Sequence, residues 1–228
     1  GKASFKFAWV MDENSEERDR GVTMDIGVSG FESKKYIITL LDAPGHKDFV
    51  PKMISGATQA DVAILVIDAA SKSSFSAGFS KGGQTKEHIT LVHSLGIKQL
   101  LVAVNKMELC KWNEKHFYHV KKTLSKYLLA LDFDVKHDVS FIPCAGLLGT
   151  NLFNDKGNPE ELSWYKGNSI LEQINQFKPI ARFAEKPFRL CVSDIYRSLI
   201  GGVTIAGKIQ QGSLTKGTKL LVMPDRKS

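Results

Sequence analysis

The sequence predicts an α/β domain, in which helices cover both faces of a mostly parallel sheet, followed by the start of a second, all-β domain. Three observations lead to this prediction. Four apolar runs of strand length alternate with longer, helix-like stretches. One of those stretches repeats an apolar residue at every third or fourth position. From Pro187 onward only short apolar stretches remain, separated by turns that contain glycine.

The four apolar runs are the predicted strands of the first domain. They cover residues 36–41, 62–67, 100–104 and 139–142. Strands that are apolar along their whole length are typical of parallel sheets, because helices pack on both faces of such a sheet. We therefore expect these four runs in one parallel sheet.

The helices between the strands follow from periodicity and from their end signals. In "EKHFYHVKKTLSKYLLAL" an apolar residue recurs every three or four positions, which predicts one buried stripe and leaves the lysines in water. The stripe consists of Phe117, Val120, Leu124, Leu128 and Leu131. Gly96 follows "ITLVHSL", and we expect it to end that helix in a left-handed conformation.

The second domain begins where the pattern changes, near Lys178-Pro179. Beyond it, "FRLCVSDIY", "GVTIAGKI" and "TKLLVM" are short apolar stretches between turns, which predicts an all-β unit. We predict domains at residues 1–183 and 184–228.

Composition excludes several classes of protein. The longest apolar run, residues 62–67, is far too short for the roughly 20 residues that cross a bilayer. No stretch is typical of a signal peptide, so we expect a cytosolic protein without a membrane partner, and a monomer. The three cysteines, Cys110, Cys144 and Cys191, lack the spacing of a zinc site or a disulfide framework. The net charge of +7 fits either an RNA-rich partner or an ordinary solvated surface.

Polar residues follow three of the predicted strands, at the edge where α/β proteins bind ligands. Asp42 precedes Gly45 and His46 in "DAPGH", "NKME" begins at Asn105, and "CAGL" begins at Cys144. The Asp42 carboxylate would hold a Mg²⁺ water, and Gly45 allows a backbone N–H to approach a phosphate oxygen. Each motif alone is weak, but the three in this order indicate a nucleotide site.

The same motifs carry a resemblance to a known family. The stretches "ERDRGVTMDIG", "DAPGHKDFVPKMI", "GGQTKEH" and "KPFRLCVSDIY" resemble the translational GTPases of the elongation-factor-1-alpha type. Within that group the chain most resembles the ribosome-rescue branch that partners pelota and is related to release factor 3, and the stretches that favour this branch are "GKASFKFAWVMDE", "ERDRGVTMDIG" and "KPFRLCVSDIY". The resemblance implies a G domain of the P-loop-NTPase type, followed by the first part of a β-barrel domain.

The resemblance also implies roles for residues around the phosphates. Thr23 matches the switch I threonine that binds Mg²⁺, and Asp42 matches the switch II acid that holds Mg²⁺ through water. Gly45 matches the amide that senses the γ-phosphate, and His46 matches the histidine that orients the attacking water. Val22 matches one half of the apolar gate beside that histidine. The other five histidines are interpreted as ordinary surface or core residues.

For the guanine base, the resemblance implies that Asn105 braces the site and that the stem of Lys106 lies against the base. Glu108 stands where the family has an aspartate that accepts from the guanine N–H groups, and Ala145 stands where the family has a serine. A misplaced carboxylate would cost about 1.5–3 kcal/mol, roughly ten- to a hundredfold in affinity. The backbone amides of "AGL" would still read the guanine carbonyl. The predicted nucleotide-binding residues are Gly45, Asn105, Lys106, Glu108, Ala145, Gly146 and Leu147.

The phosphate-binding loop G-x-x-x-x-G-K-[ST] does not occur in this sequence. "GKAS" does not replace it, because Ala3 stands where Mg²⁺ needs a serine or threonine. We expect a fragment that lacks the loop and the first strand, is inactive by itself, and neither folds well nor binds nucleotide tightly. Evolutionary loss of the loop is the alternative.

The function expected for the intact protein is that of a GTPase with GTP or GDP and Mg²⁺ as its ligands. It would carry a pelota-like protein to the rRNA-rich surface of stalled ribosomes and hydrolyse GTP there through His46. Two alternatives stay open: a pseudo-GTPase adaptor that no longer hydrolyses, and an elongation factor that carries aminoacyl-tRNA.

Overall fold

The computed structural model describes residues 26–46, 48, 50–80, 83–153, 159–179, 181, 183–197 and 202–224. The chain separates into two units, Gly1–Lys178 and Pro179–Ser228. Each unit is described by itself. The predicted domain boundary between residues 183 and 184 stays a prediction.

From β2 onward, helices separate the strands of the first unit as the sequence predicts. Its elements are β1 (Gly27–Glu32), β2 (Ile37–Asp42), α1 (Val50–Gln59), β3 (Ala63–Asp68), α2 (Lys72–Phe79), α3 (Gln84–Ser94), β4 (Leu100–Asn105), α4 (Glu114–Ala130), β5 (Val139–Pro143) and α5 (Ile170–Ile174). Short 3₁₀ helices cover Met107–Cys110 and Glu160–Leu162.

A parallel sheet in the order β3-β4-β5 forms the centre of this unit. In the central strand, β4, residues 100–104 are each at most 2% exposed. Their side chains alternate between two hydrophobic clusters: Val102 belongs to the same cluster as Phe117 of α4, whereas Leu101 belongs to the same cluster as Ile174 of α5. Helices thus cover both faces of β4, which explains its unbroken apolar run and confirms the predicted fold class.

Helix α4 buries the stripe that its periodicity predicts. Phe117, Val120, Leu124 and Leu128 are at most 2% exposed, and Leu131, just past the helix, is partly buried. Asn113 caps the N-terminus of the helix, where its side chain accepts a hydrogen bond from the His116 N–H at 2.9 Å. The prediction for Gly96 is confirmed as well, since its φ of 81° is left-handed.

The prediction that residues 36–41 form a strand of the parallel sheet is wrong for the part of the chain that the structure describes. There, β2 pairs antiparallel with β1. The turn between them explains the pairing. The Ser33 N–H donates to the Tyr36 carbonyl at 2.8 Å, and Ser33 Oγ accepts from the Tyr36 N–H at 3.0 Å. These bonds close a tight turn, and the neighbouring segment becomes the nearest partner for β2.

The second unit contains an antiparallel pair, β6 (Arg189–Arg197) and β7 (Val203–Gln211), with register irregularities in β6. Both strands coincide with predicted apolar stretches. The third predicted stretch, "TKLLVM", forms no named strand in the described part of this unit. Its apolar side chains from Leu220 to Met223 are 39–61% exposed.

None of the helices that the structure describes is both long enough and apolar enough to cross a membrane.

Candidate functional site

The ends of the three parallel strands bring two of the predicted motifs together. Asp68, the last residue of β3, lies opposite Asn105, the last residue of β4. Just beyond β5, the Cys144 N–H donates to Val104 O at 2.9 Å, and Cys144 O accepts from the Met107 N–H at 3.2 Å. The "NKME" and "CAGL" loops are therefore in direct contact.

Asn105 joins these two loops with one side-chain oxygen. Its Oδ1 accepts hydrogen bonds from the Lys106 N–H and from the Gly146 N–H, both at 2.8 Å. Two backbone donors from different loops thus fix the amide orientation. These bonds join the two loops, and the role of Asn105 in bracing a nucleotide site stays a prediction.

Lys106 is held in an unusual backbone conformation and in a short ion pair. Its φ of 64° lies in the left-handed region, which residues other than glycine seldom adopt. Its Nζ lies 2.6 Å from Asp68 Oδ2. Partial burial raises the pKa of the Asp68 carboxyl, but hydrogen bonds from Lys106 and from the Ala70 N–H outweigh it and hold this pKa below its usual value.

Glu108 presents a carboxylate oxygen that lacks a hydrogen bond. Its Oε2 is buried and has no partner among the described residues. An unsatisfied buried acceptor is costly, and in native proteins it usually has a partner such as a ligand or water. The base-binding role expected for Glu108 stays a prediction, because contact between this oxygen and a ligand requires the side chain to turn.

The "AGL" loop offers fewer free donors than the sequence suggests. The Ala145 N–H donates to Thr150 O at 3.2 Å, and the Gly146 N–H is taken by Asn105. Among the described residues, the Leu147 N–H is the amide of these three without a protein partner. Of the three loop amides that were expected to donate to the guanine carbonyl, the Leu147 N–H is thus the one that is available among the described residues.

Gly45 and His46 lie beside β3, in a different part of the sheet from the "NKME" and "CAGL" loops. They line a cavity of about 400 Å³ that opens next to β3 and the first turns of α3. The other lining residues are Leu65, Val66, Gln84, Thr85 and His88. A Cβ added to Gly45 would lie 3.9 Å from the His88 ring, so the loop passes close to α3.

The ring of His46 faces the end of its own loop. Its Nδ1 lies 3.4 Å from the Asp48 N–H and 3.4 Å from Asp48 Oδ2. A neutral ring with its proton on Nε2 accepts from the amide, whereas a protonated ring donates to the carboxylate. The side chain is 41% exposed, which leaves room for it to turn toward a ligand.

The sequence reading missed His88 and Asp68. His88 was interpreted as an ordinary histidine, but it lines the same cavity as His46, and burial lowers its pKa despite the opposing effect of Glu87. Its place in "GGQTKEH", one of the motifs of the resemblance, was the available signal. The signal for Asp68 was a charged residue that ends an apolar run at the ligand-binding edge.

Asp42 is the last residue of β2. It is one of the two residues predicted to hold Mg²⁺, and the one of them that the structure describes. The described residues contain no group of three or more His, Cys, Asp or Glu side chains that could bind a metal ion. A single carboxylate still suits Mg²⁺, which takes most of its ligands from water and substrate phosphates at such sites. The predicted gate residue Val22 and the predicted metal ligand Thr23 lie outside the described residues.

Cys144 provides a chemical test of this packing. Burial raises the pKa of its thiol to about 12, and the charge of Glu108 contributes in the same direction. Because a raised thiol pKa removes the reactive thiolate below that pH, roughly one molecule in ten thousand carries it at pH 8. We expect iodoacetamide at pH 8 to label the exposed Cys191 and to leave Cys144 unlabelled, as read by peptide mass spectrometry.

Denatured protein is the control for this labelling, since all three cysteines should then react. Rapid labelling of Cys144 in the native protein would contradict the burial of the "CAGL" loop.

Comparison with known proteins identifies the family. Residues 1–193 match the family described as the elongation factor Tu GTP binding domain. Protein HBS1 of Drosophila melanogaster is 48% identical over 226 residues, which are 99% of this chain and 33% of that protein. Elongation factor 1-alpha of Aeropyrum pernix is 42% identical over 226 residues, which are 98% of this chain and 51% of that protein.

Solved structures agree with the fold. The structure of Sup35 complexed with GMPPNP matches this chain with a TM-score of 0.59 and 30% identity. The match covers 99% of this chain and 52% of the Sup35 chain. The GTPase-like domain of S. cerevisiae Ski7 bound to GTP matches with a TM-score of 0.71 and 24% identity. This match covers 90% of this chain and 48% of the Ski7 chain. Because the identity is low, the likeness to Ski7 concerns the fold alone. The predicted G-domain architecture is confirmed, and the chain belongs to the family of elongation factor Tu GTP-binding domains.

Proposed function

We propose that this chain is the guanine-nucleotide-binding part of a GTPase that acts on ribosomes. The observation that carries the proposal is the pair of strand-end loops that Asn105 joins, with Glu108 on the first loop and the Leu147 N–H on the second. A carboxylate acceptor and an amide donor match the N–H groups and the carbonyl on the edge of guanine. Membership of the elongation factor Tu GTP-binding domain family supports the same ligand.

The base would be held by four groups in this proposal. Glu108 accepts from the guanine N–H donors, and the Leu147 N–H donates to the guanine carbonyl. The Lys106 stem lies against the ring, and Asn105 keeps both loops in register. Only the Glu108 carboxylate and the Leu147 amide distinguish guanine from adenine, because they match its donor and acceptor pattern.

Hydrolysis would depend on the loop that follows β2. The Gly45 N–H approaches the terminal phosphate, and His46 turns from Asp48 to orient the attacking water. Asp42 and Thr23 would hold Mg²⁺, which neutralises phosphate charge when it is bound. The positions of Gly45 and His46 on a solvent-open cavity allow a docking partner to trigger this movement.

The partner is proposed from similarity. The chain is 48% identical to HBS1 of Drosophila melanogaster, and its sequence resembles the rescue branch that partners pelota. We infer that the intact protein delivers a pelota-like factor to stalled ribosomes. The chain spans 33% of HBS1 and 51% of an elongation factor 1-alpha, so this activity is assigned to the full-length protein.

The test uses the full-length protein, ribosomes and tagged copurification. We expect multiple-turnover GTP hydrolysis that ribosomes stimulate, together with copurification of a pelota-like protein. Recovery of aminoacyl-tRNA instead would favour an elongation factor and overturn the rescue assignment.

A pseudo-GTPase adaptor is the second candidate, because Glu108 and Ala145 depart from the family pattern at the base site. Partner binding without any ribosome-stimulated hydrolysis would favour the adaptor over the enzyme.

A further inference from the structure

Asp68 occupies a position next to the proposed base site that the family pattern does not assign. It ends β3 directly opposite Asn105, and its Oδ2 lies 2.6 Å from Lys106 Nζ. The two residues of this ion pair are 38 positions apart in the sequence. The ends of two neighbouring strands are therefore linked through a side chain that is proposed to contact the base.

The backbone fixes Asp68 on several sides. Asp68 Oδ1 accepts from the Ala70 N–H at 2.9 Å, which closes a short turn. The Ala69 N–H donates to Asn105 O at 2.9 Å, and Ala69 O lies 3.1 Å from His116 Nε2, which donates to it. Ala69 itself is fully buried. The Asp68 carboxylate is thus presented from a rigid turn.

Lys106 is also fixed at the backbone end of its side chain, opposite the ammonium group that pairs with Asp68. Its backbone is left-handed, and its N–H donates to Asn105 Oδ1. A lysine side chain has many rotamers, and ordering it on ligand binding is entropically unfavourable. With the Lys106 backbone fixed by Asn105 and its ammonium fixed by Asp68, the four methylenes in between are already ordered.

We propose that Asp68 is a positioning residue of the base site, which orders the Lys106 stem for packing against a purine and so raises nucleotide affinity without reading the base edge. This inference rests on the proposed function. The Asp68 pKa lies below its usual value, so its carboxylate is charged at neutral pH.

If this ion pair served only to stabilise the fold, Asp68→Asn would lower thermal stability and leave the affinity for nucleotide unchanged. The two side chains are 48% and 43% exposed, and ion pairs that are so accessible contribute little to stability. We therefore expect Asp68→Asn to leave thermal stability nearly unchanged while it weakens nucleotide binding. The readout that separates the two roles is the affinity for nucleotide.

The experiment measures dissociation constants of the full-length protein for fluorescently labelled GDP and IDP. IDP has the same ring system but lacks the 2-amino group of guanine. We expect Asp68→Asn to weaken both ligands by about two- to fivefold, the range typical of one accessible ion pair. Because stem packing does not read the 2-amino group, the ratio of the two constants should stay at its wild-type value.

Comparison variants make the result specific. Glu108→Gln should change the GDP-to-IDP ratio, because that carboxylate is proposed to accept from the 2-amino group. Asp68→Glu, which keeps the charge, should recover part of the lost affinity. Asp134→Asn is the matched control: it removes a surface carboxylate that pairs with His137 at 2.7 Å, outside the base site. We expect wild-type affinity for this control.

A double-mutant cycle tests whether Asp68 acts through Lys106. In a Lys106→Met background, Asp68→Asn should produce no further loss of affinity. The inference is overturned by wild-type affinity of Asp68→Asn, by a changed GDP-to-IDP ratio, or by an undiminished effect in the Lys106→Met background. If the wild-type protein binds neither nucleotide, the proposed function itself fails, and this result is distinct from the other three.

Discussion

Replacing His46 with alanine is expected to lower ribosome-stimulated GTP turnover by about 100-fold or more. A positioned general acid–base or water-orienting side chain typically contributes roughly 10²–10⁴-fold to a rate. His46 adjoins Gly45 on the cavity beside β3, and it is 41% exposed, so its removal creates no hole in the core. The loss should fall on kcat, whereas the affinity for GDP should stay near the wild-type value.

The measurement is phosphate release by the full-length protein with excess GTP and ribosomes. His137→Ala is the matched control, because His137 is a surface histidine that also pairs with a neighbouring aspartate, Asp134. This control should retain wild-type turnover. Equal, measurable kcat values for wild type and His46→Ala would remove His46 from the reaction, whereas a lack of turnover in the wild type would favour the adaptor.

Replacing Phe117 with alanine is expected to destabilise the protein by about 3–5 kcal/mol. Phe117 is 2% exposed, and its ring lies 5.2 Å from that of Trp164 and 6.2 Å from that of Tyr165. The truncation removes buried apolar area and leaves a cavity beneath α4, where the surrounding helix and strands can collapse only in part. The free energy of unfolding from urea titration, followed by far-UV circular dichroism, measures the effect.

Leu129 is the control for this substitution, since it lies on the same helix and is 59% exposed. Leu129→Ala should cost less than about 1 kcal/mol, because surface substitutions rarely have large effects. Similar losses for the two variants would contradict the assignment of Phe117 to the buried stripe.

Periodicity made much of the first unit predictable. The apolar runs of β4 and β5 and the stripe on α4 are local signals, and burial on both faces of β4 explains why its run has no polar interruption. Strand β1, "GVSGFE", was missed because its glycines and polar residues give no strand signal. Its conformation depends on pairing with β2, which is a tertiary effect.

The site was predictable in its motifs but not in its contacts. Strand ends indicated that Asn105 and Cys144 meet, whereas the use of the Ala145 and Gly146 amides by other groups depends on three-dimensional packing. The Asp68–Lys106 pair was invisible because the partners are far apart in the sequence. The departure of Glu108 from the family pattern was visible in the sequence, but only the structure shows that one of its carboxylate oxygens is buried.

The single oxygen of Asn105 that accepts from both Lys106 and Gly146 has a kinetic consequence. Because both loops already share this acceptor, a nucleotide at the proposed base site would meet two loops that are already joined, and its capture would need no prior closure of one loop on the other. The association rate should then follow diffusion and orientation, with little dependence on the base. Differences between guanine and other bases would arise in how long each ligand stays, so discrimination at the proposed site would be a matter of residence time.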